Sequence, residues 1–290
     1  MRNLNTKPAI SPGLLPLYLS LLLLSVNGLF ARSIDLDSTS ITHLRSVIAA
    51  AALLALLLLR GTPLRLPCRR TAITVYGLGI LLGLHWVTFF KAMQVSSVAV
   101  GIIALFSYPV ITVLIEPLFQ HRKPKWPDLA AALLVLTGVA IMVSGQDTGL
   151  GNIREGVFWG ACSAFLFSLR NTSQKYWLHH IPSSGLMLHQ VIATALMLSV
   201  FTDWSRVANL NSHNWLLLAL LGLICTAGAH TLLSLSLKNL AAKSVALISC
   251  LQPVLASALA WLVLAETPST EIILGGLVVI SVATYESLKR

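Results

Sequence analysis

The stretch Gly77–His85, with the sequence GLGILLGLH, recurs in outline 145 positions later as Gly222–His230, with the sequence GLICTAGAH. Both stretches lie in apolar runs, and both place two glycines six residues apart with a histidine two residues further on. Pro109 and Pro253 continue the match at a distance of 144 positions. Paired hydrophobic segments interrupted by Gly or Pro are typical of transporters built from internal repeats, so the chain is predicted to be a duplicated membrane protein.

The composition requires a lipid bilayer around most of the chain. Hydrophobic residues make up 56% and charged residues only 10% of the 290 positions, and the mean hydropathy is +0.81. A soluble domain carries about 25% charged residues, which this chain lacks. A spanning helix needs about 20 mostly apolar residues, so the length accommodates about ten spans. We therefore predict an all-α polytopic membrane protein with ten transmembrane helices.

The borders of the spans follow from apolar runs that are separated by turn and charge signals. The predicted spans are Leu14–Ala31, Ile41–Leu59, Ala72–Phe90, Val95–Phe119, Asp128–Ser144, Ile153–Leu169, Gly185–Asp203, Trp215–Leu237, Ser244–Leu264 and Glu271–Leu288.

The distribution of basic residues predicts the orientation. With the N-terminus inside, the inner segments collect most of the Lys and Arg, including Arg65–Arg70 and Arg170, whereas the outer segments hold only Arg32, Lys91, Arg154 and Arg206. Five spans per half is an odd number, so the second half crosses the membrane in the opposite orientation. We predict two inverted five-helix repeats, residues 1–146 and 147–290, in the cytoplasmic (inner) membrane with both termini cytoplasmic.

Several other classes of protein fit less well. The net charge of +10 does not indicate nucleic-acid binding, because the basic residues lie between apolar runs. The four cysteines form no CxxC pair, so neither a metal site nor a disulfide framework is expected. The chain has no P-loop, and no enzymatic activity or cofactor is predicted. A non-transporting scaffold or receptor is an alternative, although it would not need inverted halves. An importer of another metabolite class is a second alternative.

Four motifs resemble the EamA family of the drug/metabolite transporter superfamily. Leu84–Ala92 and Leu237–Ala241 are similar to its third and eighth spans, and Thr42–Ser46 contains an arginine that is usual in its second span. Pro253 is followed thirteen residues later by Glu266, although the first half carries Arg122 where a glutamate would mirror Glu266. The resemblance covers essentially the whole chain. It implies two five-span halves and transport of amino acids, drugs or other metabolites, with export as the usual direction.

His85 and His230 occupy equivalent places in the middle of their spans. An ionisable side chain in a bilayer is costly, and it usually faces a cavity or the bundle interior. Both histidines are candidates for hydrogen bonds to a substrate, and Trp86 and Phe89 beside His85 favour that residue. A neutral histidine that joins two helices by a hydrogen bond is the structural alternative.

Arg45 lies four residues inside its predicted span, and Gln190 stands 145 positions later. The arginine could neutralise a substrate carboxylate, or it could extend to the outer headgroups, where Asp35 or Asp37 would support it. Asn27 in the first span could bind substrate or join two helices. Charged residues near span ends, Lys91 and Glu116, are expected to be solvated anchors.

Pro109 and Pro253 remove a backbone donor within a span, which bends the helix and exposes polar backbone to a cavity or to protein. Tyr108 and Gln252 immediately precede the two prolines. We expect these bends to act in gating, with a static packing kink as the alternative.

Together these residues predict a substrate site between the halves. His85, Trp86, Tyr108, His230 and Gln252 are expected to converge there, with Arg45 nearby. Since few donors would line a mainly aromatic pocket, a small amphipathic metabolite such as an amino acid fits better than a polyanion. Both proton antiport and uniport fit the sequence, as do a monomer and a homodimer.

Overall fold

The structure, a computed structural model, describes residues 12–27, 30, 33–144, 152–264 and 269–288. The residues within these ranges are mostly helical and contain no strand. In chain order the helices are α1 (Leu14–Leu24), α2 (Ser38–Leu59), α3 (Arg69–Val95), α4 (Val98–Leu105), α5 (Tyr108–Phe119), α6 (Trp126–Ser144), α7 (Ile153–Trp177), α8 (Ser183–Leu198), α9 (Trp204–Ala208), α10 (Ser212–Leu220), α11 (Ala229–Asn239), α12 (Ala242–Ser249), α13 (Leu251–Leu264) and α14 (Thr270–Leu288).

The predicted all-α membrane class is confirmed. Within the described ranges, seven helical stretches are long and apolar enough to cross a membrane: Ser38–Leu59, Arg69–Val95, Val100–Phe119, Ser183–Phe201, Ser212–Asn239, Ala242–Leu259 and Thr270–Leu288. Leu14–Leu24 and Trp126–Met142 are apolar but shorter. The count of ten spans therefore stays a prediction. The predicted end of the first span at Ala31, the seam at residues 146 and 147, and Glu266 lie outside the described residues.

Helix α7 is longer than the sequence pattern predicts. The pattern ends this span at Leu169 and assigns Arg170 to the inner loop residues. In the structure the helix continues to Trp177 and the Arg170 side chain is fully buried, so that assignment is wrong. The reason is that α7 buries a polar stripe inside the protein, which lowers its hydropathy without ending the helix.

The packing of the helices follows the duplication. Helix α3 packs along α7, and their counterparts in the other half, α11 and α1, also pack along each other. Two further pairs, α2 with α8 and α6 with α14, each join a helix to its own counterpart. This pattern is expected when two similar halves are related by a pseudo-two-fold axis.

The fourth span of each half is broken just before its proline. In the first half α4 ends at Leu105 and α5 begins at Tyr108, so Pro109 is the second residue of a new helix. In the second half α12 ends at Ser249 and α13 begins at Leu251, so Pro253 is the third residue. A proline is tolerated in the first turn because the backbone donor that it removes has no helical acceptor there.

One segment departs from the symmetry. Helix α3 is continuous, whereas its counterpart is interrupted by a π-helical segment, Leu221–Gly228, that joins α10 to α11. The hydroxyl of Thr226 donates to the carbonyl of Leu221 (2.8 Å), five residues earlier. Such π-helical turns often occur at functional sites, and this one adjoins the cavity described below.

Candidate functional site

A small cavity lies between the two halves, and it brings together seven of the predicted site residues. Its volume is about 30 Å³, which is room for one or two water molecules. Four helices of the first half (α1, α3, α4 and α5) and four of the second (α7, α11, α12 and α13) surround it. The predicted residues that line it are Asn27, His85, Trp86, Phe89, Tyr108, His230 and Gln252.

His85 is held firmly by α7. Its Nδ1 lies 2.7 Å from the hydroxyl and 3.1 Å from the carbonyl oxygen of Ser163. That hydroxyl donates in turn to the backbone carbonyl of His85 (3.0 Å), so its oxygen accepts from Nδ1. The ring stacks on Phe167, with centroids 4.4 Å apart. The neutral imidazole therefore carries its proton on Nδ1, and Nε2 is an acceptor.

His230 occupies the equivalent place without the equivalent anchor. Its side chain is buried, and neither ring nitrogen has a hydrogen-bond partner among the described protein atoms. The ring meets the edge of Trp86 at a centroid distance of 4.9 Å. Buried polar groups in proteins are almost always hydrogen-bonded, so these two nitrogens are available to water or to a ligand in the cavity.

Two other polar atoms of cavity-lining residues are also buried without a partner in the part of the chain that the structure describes. These are the side-chain oxygen of Asn27 and Nε1 of Trp86. The Asn27 oxygen is an acceptor, Nε1 of Trp86 is a donor, and the His230 ring can donate or accept.

The residues before the prolines join the two halves across the cavity. The Tyr108 hydroxyl in the first half donates to the carbonyl of Ala246 in the second (3.1 Å). The side-chain amide of Gln252 in the second half donates to the carbonyl of Leu24 in the first (2.9 Å). Both side chains thus sit where the halves touch and where each fourth span is broken.

Arg45 lies behind the cavity wall. Its Nε donates to the hydroxyl of Thr226 (2.8 Å), and its guanidinium lies over the rings of Trp86 (4.6 Å) and Phe90 (5.3 Å). The side chain is fully buried, so the interpretation that it extends to the outer headgroups is wrong. The Asp37 carboxylate, one of its two predicted supports, instead caps the N-terminus of α2.

Arg170 is a second buried arginine, which the sequence analysis missed. It donates to the side-chain oxygens of Asn171 (2.8 Å) and Gln190. Gln190 therefore contacts Arg170 in the structure, and neither residue lines the cavity. The missed signal is helical spacing: Ser163, Phe167, Arg170 and Gln174 follow one another at intervals of three or four residues along one face of α7.

Glu116 is not the solvated anchor that its position predicted. It is buried, and its carboxylate accepts hydrogen bonds from the backbone N–H groups of Ala242 (2.8 Å) and Lys243 (2.8 Å) and from the Tyr176 hydroxyl (2.9 Å). The Lys243 ammonium in turn pairs with Asp128. A residue of α5 thus caps α12, on the side of the cavity that is predicted to face the cytoplasm.

Comparison with known proteins identifies the family. A sequence model of the EamA-like transporter family matches residues 11–144 and, a second time, residues 154–285. The chain belongs to the EamA-like transporter family. It is accordingly a multi-pass membrane transporter, and the cavity is the candidate path of its substrate.

Curated relatives of this EamA-like chain are described as uncharacterized transporters. YxxF of Bacillus subtilis is 22% identical over 65% of this chain and 61% of its own length, so the match leaves more than a third of that relative unaligned. A protein of Archaeoglobus fulgidus is 24% identical over 91% of this chain and 92% of its own length. One protein of known crystal structure shares the fold, with a TM-score of 0.76 at 19% identity over 97% of this chain and 99% of that one.

Proposed function

We propose that this EamA-like transporter exports a small amphipathic metabolite, an amino acid or a related compound, across the cytoplasmic membrane by alternating access. The observation that carries the proposal is the cavity between the halves. Its wall combines aromatic side chains with polar atoms of Asn27, Trp86 and His230 that have no partner among the described residues. Small-molecule sites typically have this composition of apolar surface with a few convergent polar groups.

The cavity must enlarge to hold such a substrate, and the breaks in the fourth spans are placed to allow it. Leu105, Phe106 and Tyr108 line the cavity at one break, and Ser249 and Gln252 line it at the other. A change in angle at either break therefore changes the volume of the cavity. Since the halves are equivalent, the two breaks can open the cavity to opposite sides of the membrane.

Replacing Pro109 by Ala is expected to slow transport. The new backbone N–H could donate to the carbonyl of Leu105 and join α4 to α5 as one stiffer helix. One such hydrogen bond contributes about 1 kcal/mol, so the exchange rate should fall about fivefold while the half-saturation concentration changes less. Counterflow in proteoliposomes, with a panel of amino acids and their deaminated or acylated derivatives, measures both. Pro253→Ala should behave similarly, and Pro127→Ala, in the exposed first turn of α6, is the control.

Two results would contradict these proposals separately. Parent rates in Pro109→Ala and Pro253→Ala would mean that the breaks are packing features. No counterflow of any compound by the parent protein would remove the proposed substrate class.

The proposed orientation, with both termini cytoplasmic, can be tested with a native thiol. Cys68 is exposed at the start of α3, and its hydrogen bond with the Thr71 hydroxyl (3.3 Å) lowers the pKa of the thiol, which favours the reactive thiolate. A membrane-impermeant maleimide is expected to label Cys68 only from the cytoplasmic face. Thr270→Cys in a Cys68→Ser background should be labelled only from the opposite face. Labelling of both positions from one face would exclude the proposed topology.

A further inference from the structure

Two buried arginines beside the cavity have no carboxylate partner within the described ranges. Arg45 and Arg170 are both fully buried. The ion pairs found among the described residues involve Arg206 with Asp203 and Lys243 with Asp128. The interior therefore holds two positive charges that no described side chain neutralises.

These guanidinium groups also keep free hydrogen-bond donors. Nη1 and Nη2 of Arg45 and Nε of Arg170 are buried without partners among the described protein atoms. An unpaired charge buried away from water is strongly unfavourable, and intramembrane ionisable residues generally mark the path of a substrate or ion. A guanidinium fork matches the two oxygens of a carboxylate.

A polar stripe leads from the cavity toward the side predicted to be cytoplasmic. On α11, His230 lies in the cavity wall and Ser234 follows one turn later, with its hydroxyl also unpartnered. Ser234 then lines a crevice with Gln174 and Lys238, which is too narrow to hold a water molecule in this conformation and must open for a substrate to pass. Arg170 stands one turn before Gln174 on α7, so cationic groups flank this route from the crevice to the cavity.

Among the residues that the structure describes, no aspartate or glutamate lines either the cavity or the crevice. The ammonium group of an amino acid would find neutral acceptors there but no counter-charge. A carboxylate would find the Arg45 guanidinium directly behind Trp86 of the cavity wall, and Arg170 stands one turn from the cavity residue Phe167 on α7. The charges in and around the site therefore favour an anion over a zwitterion.

We propose that this site recognises an organic monocarboxylate with an aromatic or branched apolar part, and that the carboxylate rather than an ammonium group is the recognised charge. The inference rests on the proposed function and narrows its substrate class. The carboxylate would engage Arg45 once Trp86 or His230 moves aside, and Arg170 would attract it along the crevice. The aromatic walls around Phe89 and Phe167 would hold the apolar part.

Matched pairs of compounds test the charge requirement on the purified full chain. 3-Phenylpropionate and 4-methylpentanoate are expected to raise the thermal unfolding temperature in a saturable way. Their primary amides, which have the same shape without the charge, should bind at least tenfold more weakly. Equal shifts by acids and amides, or no shift by either acid, would overturn the proposal. The counterflow of other metabolites would still test transport itself, so the two failures are distinguishable.

Arg45→Met separates a binding role from a structural one. Loss of the charged fork should weaken 3-phenylpropionate binding about ten- to a hundred-fold. The same change should alter the unfolding temperature little, because it removes the Thr226 hydrogen bond and the ring contacts but also a buried charge without a carboxylate partner. Arg45→Lys should retain part of the affinity, and Arg154→Met, at the exposed start of α7, should change neither quantity. A lower unfolding temperature with unchanged affinity would identify Arg45 as a structural residue and refute the assignment.

Discussion

Gly79→Leu is expected to prevent the correct packing of α3 against α8 and to abolish most of the folded protein. A Cβ atom at position 79 would lie 2.6 Å from the carbonyl oxygen and 2.8 Å from the Cα of Gln190, and 2.7 Å from the Cβ of Ala193. Backbone atoms cannot rotate aside, so the two helices would have to separate. Helices in membranes associate through close packing of small residues, and this separation would remove much of that attraction.

The expected destabilisation is large for a single residue. Overpacking a well-packed interior costs about 1–3 kcal/mol, and a clash with backbone lies at the upper end or beyond. The Thr194 hydroxyl, which donates to the Gly79 carbonyl (2.8 Å), would also lose its acceptor. Size-exclusion chromatography in detergent and thermal unfolding would show aggregated protein or an unfolding temperature lower by about 10 °C.

Gly77 supplies a control two residues away on the same helix. It is exposed, and a Cβ atom built there has no other atom within 4 Å. Gly77→Leu adds an apolar side chain toward lipid and replaces a poor helix former, so it should leave the protein intact or slightly stabilise it. If Gly79→Leu were as stable as Gly77→Leu, α3 and α8 would not pack as the structure describes.

The fold class could be predicted from the sequence because the residues that indicate it lie close together in the chain and recur in both halves. The glycine, histidine and proline landmarks recur at nearly constant spacing, and duplicated helices that pack on one another are the physical consequence. The two fourth-span breaks are equally local, since a proline removes a backbone donor wherever it stands. Residues next to these landmarks, Tyr108 and Gln252, accordingly reach the cavity.

The features of the site that could not be predicted from the sequence depend on contacts between residues far apart in the chain. The two histidines look alike along the chain, yet Ser163 of α7 anchors His85, whereas no described residue forms a hydrogen bond with the His230 ring. In the sequence Arg170 resembles a charged residue of a loop. Its burial becomes clear only in the structure, where α7 buries the polar face that contains it. Gln190 is predicted as the counterpart of Arg45 by spacing, but its side chain contacts Arg170 of α7 instead.

Glu116 shows how a single contact can distinguish two otherwise similar halves. Its carboxylate joins α5 to the N-terminus of α12, where two backbone N–H groups and the helix dipole favour a negative charge. At the equivalent N-terminus of α4, the neutral Ser97 hydroxyl accepts from Val100 N–H (3.1 Å). The side predicted to face the cytoplasm therefore has a charged contact between the halves, whereas on the opposite side the backbone N–H of Asn152 joins the halves by a neutral hydrogen bond to the Val95 carbonyl (2.9 Å).

Glu116→Gln is expected to shift the protein toward conformations that are open on the side predicted to be cytoplasmic. The amide retains the shape but loses the charge that two backbone donors and Tyr176 stabilise. Hydrogen bonds to a charged group contribute about 1.5–3 kcal/mol, so the population of the open conformation should rise about ten- to a hundred-fold. Ser249 lines the cavity beside the break after α12, so its exposure reports this opening.

The measurement is the rate at which a charged thiol reagent modifies Ser249→Cys in a background without Cys68. Glu116→Gln should accelerate modification from the cytoplasmic face and not from the other face, because only one closure is weakened. Glu155→Gln is the matched control, since the Glu155 side chain contacts Asn152 and Trp159 within α7 and joins no two halves. An unchanged rate in Glu116→Gln, with the unfolding temperature preserved, would mean that this contact does not hold the cavity closed. An equal acceleration from both faces would instead mean that the substitution loosens the packing of the whole protein, because loss of one closure cannot admit reagent from both sides.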